Sequence, residues 1–174
     1  MKMLKTSSYE NVTVSDICKN AGVSVGNFYH YFKSKDSLIK ESYDIVDTQI
    51  VNNYKNNSYS TYTEALIALN KSAGIEMEKL GYKFLSSAYR QLLLGTEEYT
   101  VSPDRQFHSE VYSLTKKAIE NGELHNISPD VLSEQINKTG RGVIFDWCIK
   151  HGGFDIVTTW VEDIKRLLDT YLVP

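Results

Sequence analysis

Apolar residues in this chain recur at helical spacing almost from end to end, and the polar residues between them mark where helices start and stop. Val14, Ile17, Cys18 and Ala21 fall on one helical face, and Thr13 with Asp16 has the spacing of a capping box. Gly22 predicts the stop, because glycine takes a positive φ at little cost. Val23 fills the space under the turn. Ser24 caps a second, short helix that Phe28, Tyr31 and Phe32 pack down. Ser34 with Asp36 starts a third helix through Leu38, Ile39, Ile45, Val46 and Ile50. Asn52, Asn53, Asn57, Ser58, Ser60 and Thr61 then compete with helix hydrogen bonds and read as a junction.

The same periodicity predicts the rest as helices. Ala65, Leu66, Leu69 and Ala73 form a stripe that Met77 and Leu80 continue, and Tyr82, Phe84, Leu85, Ala88, Tyr89, Leu92 and Leu93 form another. Residues 95–105 read as a loop. Phe107, Val111, Leu114, Ala118 and Ile119 make the next helix, closed by Asn121-Gly122. Ser128-Pro129-Asp130 is a sharp start for a helix running to His151, where Gly152-Gly153 stops it. A last helix spans Phe154 to Tyr171. The fold class is all-α, with a helix-turn-helix domain over residues 1–45 and a helical domain over residues 46–174.

Two of these helices carry unusually apolar stripes. Gly140, Val143, Ile144 and Trp147 share one face, and Trp160, Ile164 and Leu168 share another. Pairing with a second copy into a four-helix interface would cover both, so these residues are the expected homodimer interface. The competing reading is an internal core stripe.

Charge changes the picture only slightly. The 174 residues carry a net charge of −3, with 41% apolar residues. Residues 1–45 hold six lysines and five acids, whereas the remainder holds thirteen basic and seventeen acidic groups. The front therefore has the sign that nucleic-acid binding needs. Cys18 and Cys148 lie too far apart in sequence to suggest a disulfide framework. His30, His108, His125 and His151 lack a metal-ligand spacing, and no nucleophile motif, phosphate-binding glycine loop or paired-carboxylate pattern occurs. The chain is expected to be no enzyme, to use no cofactor and to bind no metal. No signal peptide or run of eighteen apolar residues is present, so a cytoplasmic protein without a membrane partner is expected.

The short second helix is too polar on its free side to be idle. Ser24, Val25, Asn27 and His30 lie at its exposed start and flank. Asparagine can bond an adenine edge, and valine can meet a thymine methyl. Thr13, Tyr29 and Lys35 are placed for phosphate. Helix amides near Thr13 and Ser24 add unpaired donors. Thr13 and Ser24 are also simply caps, and Tyr29 and His30 also read as packing or solvated groups.

The run Thr13-Val14-Ser15-Asp16-Ile17, Ala21-Gly22-Val23-Ser24, Phe28-Tyr29-His30-Tyr31-Phe32 and Lys33-Ser34-Lys35-Asp36-Ser37-Leu38 resembles the DNA-binding domain of the TetR family of bacterial transcriptional regulators. The resemblance implies phosphate clamps at Thr13, Tyr29 and Lys35, and groove contacts at Ser24, Val25, Asn27 and His30. It also implies dimerisation through the last two helices, where Gly142-Val143-Ile144-Phe145-Asp146-Trp147 resembles a pattern common in the family. The body is then a ligand-binding domain whose small-molecule effector releases the operator, with Met77, Tyr82, Tyr89, Phe107, Tyr112 and Trp147 as expected pocket residues. The expected partners are double-stranded operator DNA, a second copy and an unknown effector, and the expected role is that of a repressor. Asn27 departs from the small or hydroxyl residue usual at its position, and Asn11 replaces the usual turn glycine. Residues 1–8 leave about two turns for a bracing first helix. The alternative is a helical ligand-binding or protein-interaction module whose front unit no longer binds DNA.

Overall fold

The computed structural model describes residues 12–35, 37–94 and 101–172. The bracing helix and turn at Asn11 lie outside the described residues, as do Asp36 and residues 95–100 of the expected loop. Eight helices are formed among the described residues: α1 (Val14–Ala21), α2 (Val25–Tyr31), α3 (Ser37–Lys55), α4 (Tyr62–Leu80), α5 (Tyr82–Leu94), α6 (Gln106–Glu120), α7 (Pro129–Ile149) and α8 (Ile156–Asp169). The all-α expectation holds.

The local signals act as their chemistry dictates. Thr13 Oγ1 accepts from the Asp16 amide at 3.1 Å, and Asp16 Oδ2 accepts from the Thr13 amide at 3.0 Å. Both arms of the capping box are therefore made. Gly22 sits at φ +69° and closes α1. Ser24 accepts from the Asn27 amide, Ser128 from Val131 and Asp155 from Thr158. Two other helix starts borrow a carboxylate from elsewhere. Glu123 accepts from the Tyr62 and Thr63 amides at the start of α4, and Asp47 of α3 accepts from the Phe107 amide at the start of α6. A negative group at a helix N-terminus satisfies orphan donors and opposes the dipole.

α3 runs unbroken across the expected domain boundary at residues 45 and 46. Its front end adjoins the helix-turn-helix. Its rear half, through Val46, Ile50, Val51 and Tyr54, joins the core of the body. α4 is the central helix of that body and packs on α3, α6 and α8.

The residues expected at the homodimer interface lie inside the fold of one chain. Val143, Ile144, Trp147, Trp160, Ile164 and Leu168 are all buried within the single chain, together with Gly140. The cause is α4. Its small residues Ala73 and Gly74 admit α8, and a Cβ on Gly74 would lie 3.2 Å from the Val157 backbone. Buried Asn70 on α4 accepts from Trp160 Nε1 at 3.1 Å, which fixes the indole. The close approach foreseen at Gly140 occurs inside the chain, where the glycine faces the Trp160 ring. This burial fits the internal core stripe. The apolar face left open on α7 is the opposite one, where Phe145 is 47% and Ile149 58% exposed.

A methyl group on Gly140 would come within 2.3 Å of Trp160. Gly140→Ala is expected to cost about 1–3 kcal/mol through overpacking, read as a lowered urea midpoint.

Candidate nucleic-acid interface and central cavity

The front unit places its polar residues outward. α1 and α2 meet across the Gly22 turn, with Cys18 and Phe28 buried between them. Ser24, Val25, Asn27, Tyr29 and His30 are exposed, Tyr29 at 56%. The edge of the Tyr29 ring rests against Phe28, with centroids 5.3 Å apart, and His30 meets Tyr31 in the same way at 5.0 Å. Those contacts set the direction of both rings without covering them. Residues 12–35 carry Lys19, Lys33 and Lys35 against Asp16 alone, so the face is locally basic.

Thr13 and Lys35 are more engaged than the sequence suggested. The Thr13 hydroxyl donates to Asp16 Oδ2 at 2.6 Å, so its proton is committed to the cap. Lys35 is half-buried and its ammonium donates to the Val12 carbonyl at 3.0 Å. It ties the entry of α1 to the turn before α3. An ammonium has three donors and can serve more than one acceptor.

Behind this face, α3 is fastened to the body by a buried ion pair. Asp47 is fully buried. Arg105 Nη2 donates to Asp47 Oδ1 at 2.6 Å and Arg105 Nε to Oδ2 at 3.0 Å. The guanidinium also lies 4.5 Å from the centre of the Tyr43 ring. Further along α3, Thr48 donates to Gln106, Asn53 to Glu76, and Lys55 and Tyr54 to Glu110. Sequence reading missed Asp47 and Arg105. The available signal was an acid set at helical spacing among the apolar positions Val46, Ile50 and Val51, where only a paired carboxylate can be buried.

Arg105 of the ion pair lines a central cavity of about 60 Å³ walled mainly by α3 to α7. That is room for about two water molecules. Met77, Tyr89 and Phe107, three of the expected pocket residues, line it with Arg105, Arg141 and Asn137. Tyr89 donates to the Arg141 carbonyl at 3.2 Å, and burial raises its pKa well above the usual phenol range. Tyr82 and Trp147 do not join this wall. They pack edge to face, and Trp147 Nε1 donates to the Phe154 carbonyl at 2.9 Å. Tyr112 lines a separate, open cleft between α6 and α7. Cys18 and Cys148 are buried free thiols. No metal-binding cluster occurs among the described residues, and no helix there is long and apolar enough to cross a membrane.

Comparison with known proteins agrees with this geometry. Residues 1–42 match the family model of bacterial regulatory proteins of the tetR family. The whole chain superposes on a TetR family transcriptional regulator, PfmR, from Thermus thermophilus, with TM-score 0.69 and 16% identity over 97% of this chain and 93% of that one. It matches the regulatory protein TetR from Rhodobacter sphaeroides with TM-score 0.67 and 20% identity, covering 95% and 93% of the two chains. A ketosteroid transcriptional regulator of Mycobacterium tuberculosis gives TM-score 0.63 and 19% identity, covering 99% and 91%. No curated protein sequence matches the chain significantly.

Asp47→Ala leaves a buried guanidinium and the start of α6 without their acceptor. It is expected to cost about 3–5 kcal/mol in denaturant unfolding, and the double change Asp47→Leu with Arg105→Met is expected to recover most of that loss.

Proposed function

We propose that this chain, which carries the TetR-family pattern at its front and the fold of TetR-family regulators throughout, is a DNA-binding transcriptional regulator. The observation that carries the reading is the outward presentation of Val25, Asn27, Tyr29 and His30 on a short helix held by a braced turn. Such a helix enters the major groove by its N-terminal end. Asn27 and Val25 then meet base edges, while Tyr29 and nearby amides meet phosphate. The lysine excess around this face favours DNA over the alternative of a degenerate, non-binding front unit.

Two copies are needed to span two half-sites one helical turn apart. Since the inner stripes of α7 and α8 are consumed by the core, the proposed dimer face is the outer stripe of α7. Val131, Gly142, Phe145 and Ile149 are exposed there at helical spacing. The proposed effector response is a shift between two arrangements of α3 relative to the body, because α3 connects the DNA-facing unit to the cavity wall. The proposed role is that of a repressor that releases its operator when the effector binds.

Fluorescence anisotropy with duplex DNA from beside its own gene tests the reading. Binding is expected to weaken steeply with salt, and Asn27→Ala to cost about 1–3 kcal/mol of discrimination. Absence of any salt-dependent binding would overturn it. Phe145→Asp is expected to convert the dimer to a folded monomer in sedimentation, and an unchanged dimer would place the interface elsewhere.

A further inference from the structure

The open cleft between α6 and α7 holds about 370 Å³. Among the described residues, Asn137 alone lines both this cleft and the central cavity, so it partitions the two. Asn137 Oδ1 is buried and accepts no hydrogen bond from any described residue. A buried acceptor without a donor is costly, and its presence at a cavity wall calls for a partner from outside the chain.

The cleft offers further acceptors beside it. His108 is only 7% exposed and lines the wall. Its Nδ1 lies 2.8 Å from the Ser102 carbonyl. A carbonyl can only accept, so the proton sits on Nδ1 and the ring presents a lone pair at Nε2. Burial, and then the nearby Arg105 charge, lower the pKa of the ring and keep it neutral. Ser133 has spent its proton on the Asp130 carbonyl. Asp130 and Glu134 stand one helical turn apart on the same wall, and Glu134 already pairs with Arg141 at 3.0 Å. The Arg105 and Arg141 charges are each matched, by Asp47 and by Glu134, so an anion placed here meets lone pairs and the Asp130 carboxylate, whereas a protonated amine brings three donors.

We propose that the α6–α7 cleft binds a small primary amine, its ammonium donating to Asn137 Oδ1 and His108 Nε2, with the Asp130 carboxylate two helical turns away on the same wall. The inference rests on the effector-responsive reading above and gives it a ligand class. It also gives a route to α3. His108 lies in the first turn of α6, one residue beyond Phe107 and three beyond Arg105, and Phe107 and Arg105 hold Asp47. An occupant drawn against His108 loads that attachment.

The test is calorimetry on the full chain at neutral pH with benzylamine, benzyl alcohol and benzoate, beside DNA anisotropy with and without each compound. Benzylamine is expected to bind at least about tenfold more tightly than benzyl alcohol, with no measurable binding of benzoate. Asn137→Leu is expected to weaken benzylamine about tenfold or more while the melting temperature holds or rises, because an orphan acceptor is removed. His108→Leu provides a second variant with the same expected loss. Benzoate binding as tightly as benzylamine, benzyl alcohol binding equally well, or unchanged benzylamine affinity in both folded variants would overturn the proposal. Benzylamine bound in the cleft with DNA affinity unchanged would support the site and overturn the effector reading alone.

Discussion

The buried pair of Asp47 and Arg105 is the constraint on which the arrangement of this molecule turns. Two charges cannot be left alone in an apolar interior, so wherever Arg105 goes, α3 must follow. The pair does more than cancel charge. The Asp47 carboxylate also receives the Phe107 amide and so completes the N-terminus of α6, a helix to which it does not belong. Arg105 precedes that helix as its cap residue and makes no side-chain cap of its own. One carboxylate thus neutralises a guanidinium, ends a helix and joins two parts of the chain. Glu123 performs the last two of these tasks for α4.

This division explains how an exposed front can be attached firmly to a body. The helix-turn-helix has a thin core, in which Val12, Cys18 and Phe28 are the buried apolar side chains among residues 12–35. Its order comes largely from caps, from the Gly22 turn and from Lys35 gripping the Val12 carbonyl. The body is ordered by bulk packing around α4, with Leu66 and Leu69 fully enclosed. α3 belongs to both regimes.

Most of the fold was legible in the sequence because caps, glycine stops and apolar periodicity are local signals. Ser128-Pro129 starts α7 where its chemistry requires, and Asn121-Gly122 follows the end of α6. Which partner covers an apolar stripe is a different question. The seam of Gly140, Val143, Ile144 and Trp147 looks the same whether α4 or a second copy covers it. Only the three-dimensional placement of Ala73, Gly74 and Asn70 decides, and those residues lie about seventy positions away. The cavity was half legible for the same reason. Met77, Tyr89 and Phe107 carry a pattern, whereas the tie between Asp47 and Arg105 and the partition at Asn137 depend on contacts made far along the chain. Val25, Asn27, Tyr29 and His30 could be read as exposed because a seven-residue helix has little room to hide a side chain, and for the same reason Tyr31, expected to pack, is 71% exposed.

α3 has nineteen residues, so it is about 28 Å long, and Asp47 stands near its middle. A rigid rod held at its midpoint behaves as a lever. A tilt of about six degrees about that fulcrum carries an end some 14 Å away through roughly 1.5 Å. Two such rods in a symmetric pair would add their displacements, so the separation of the two probes is geared to a movement at the fulcrum far smaller than a helical turn.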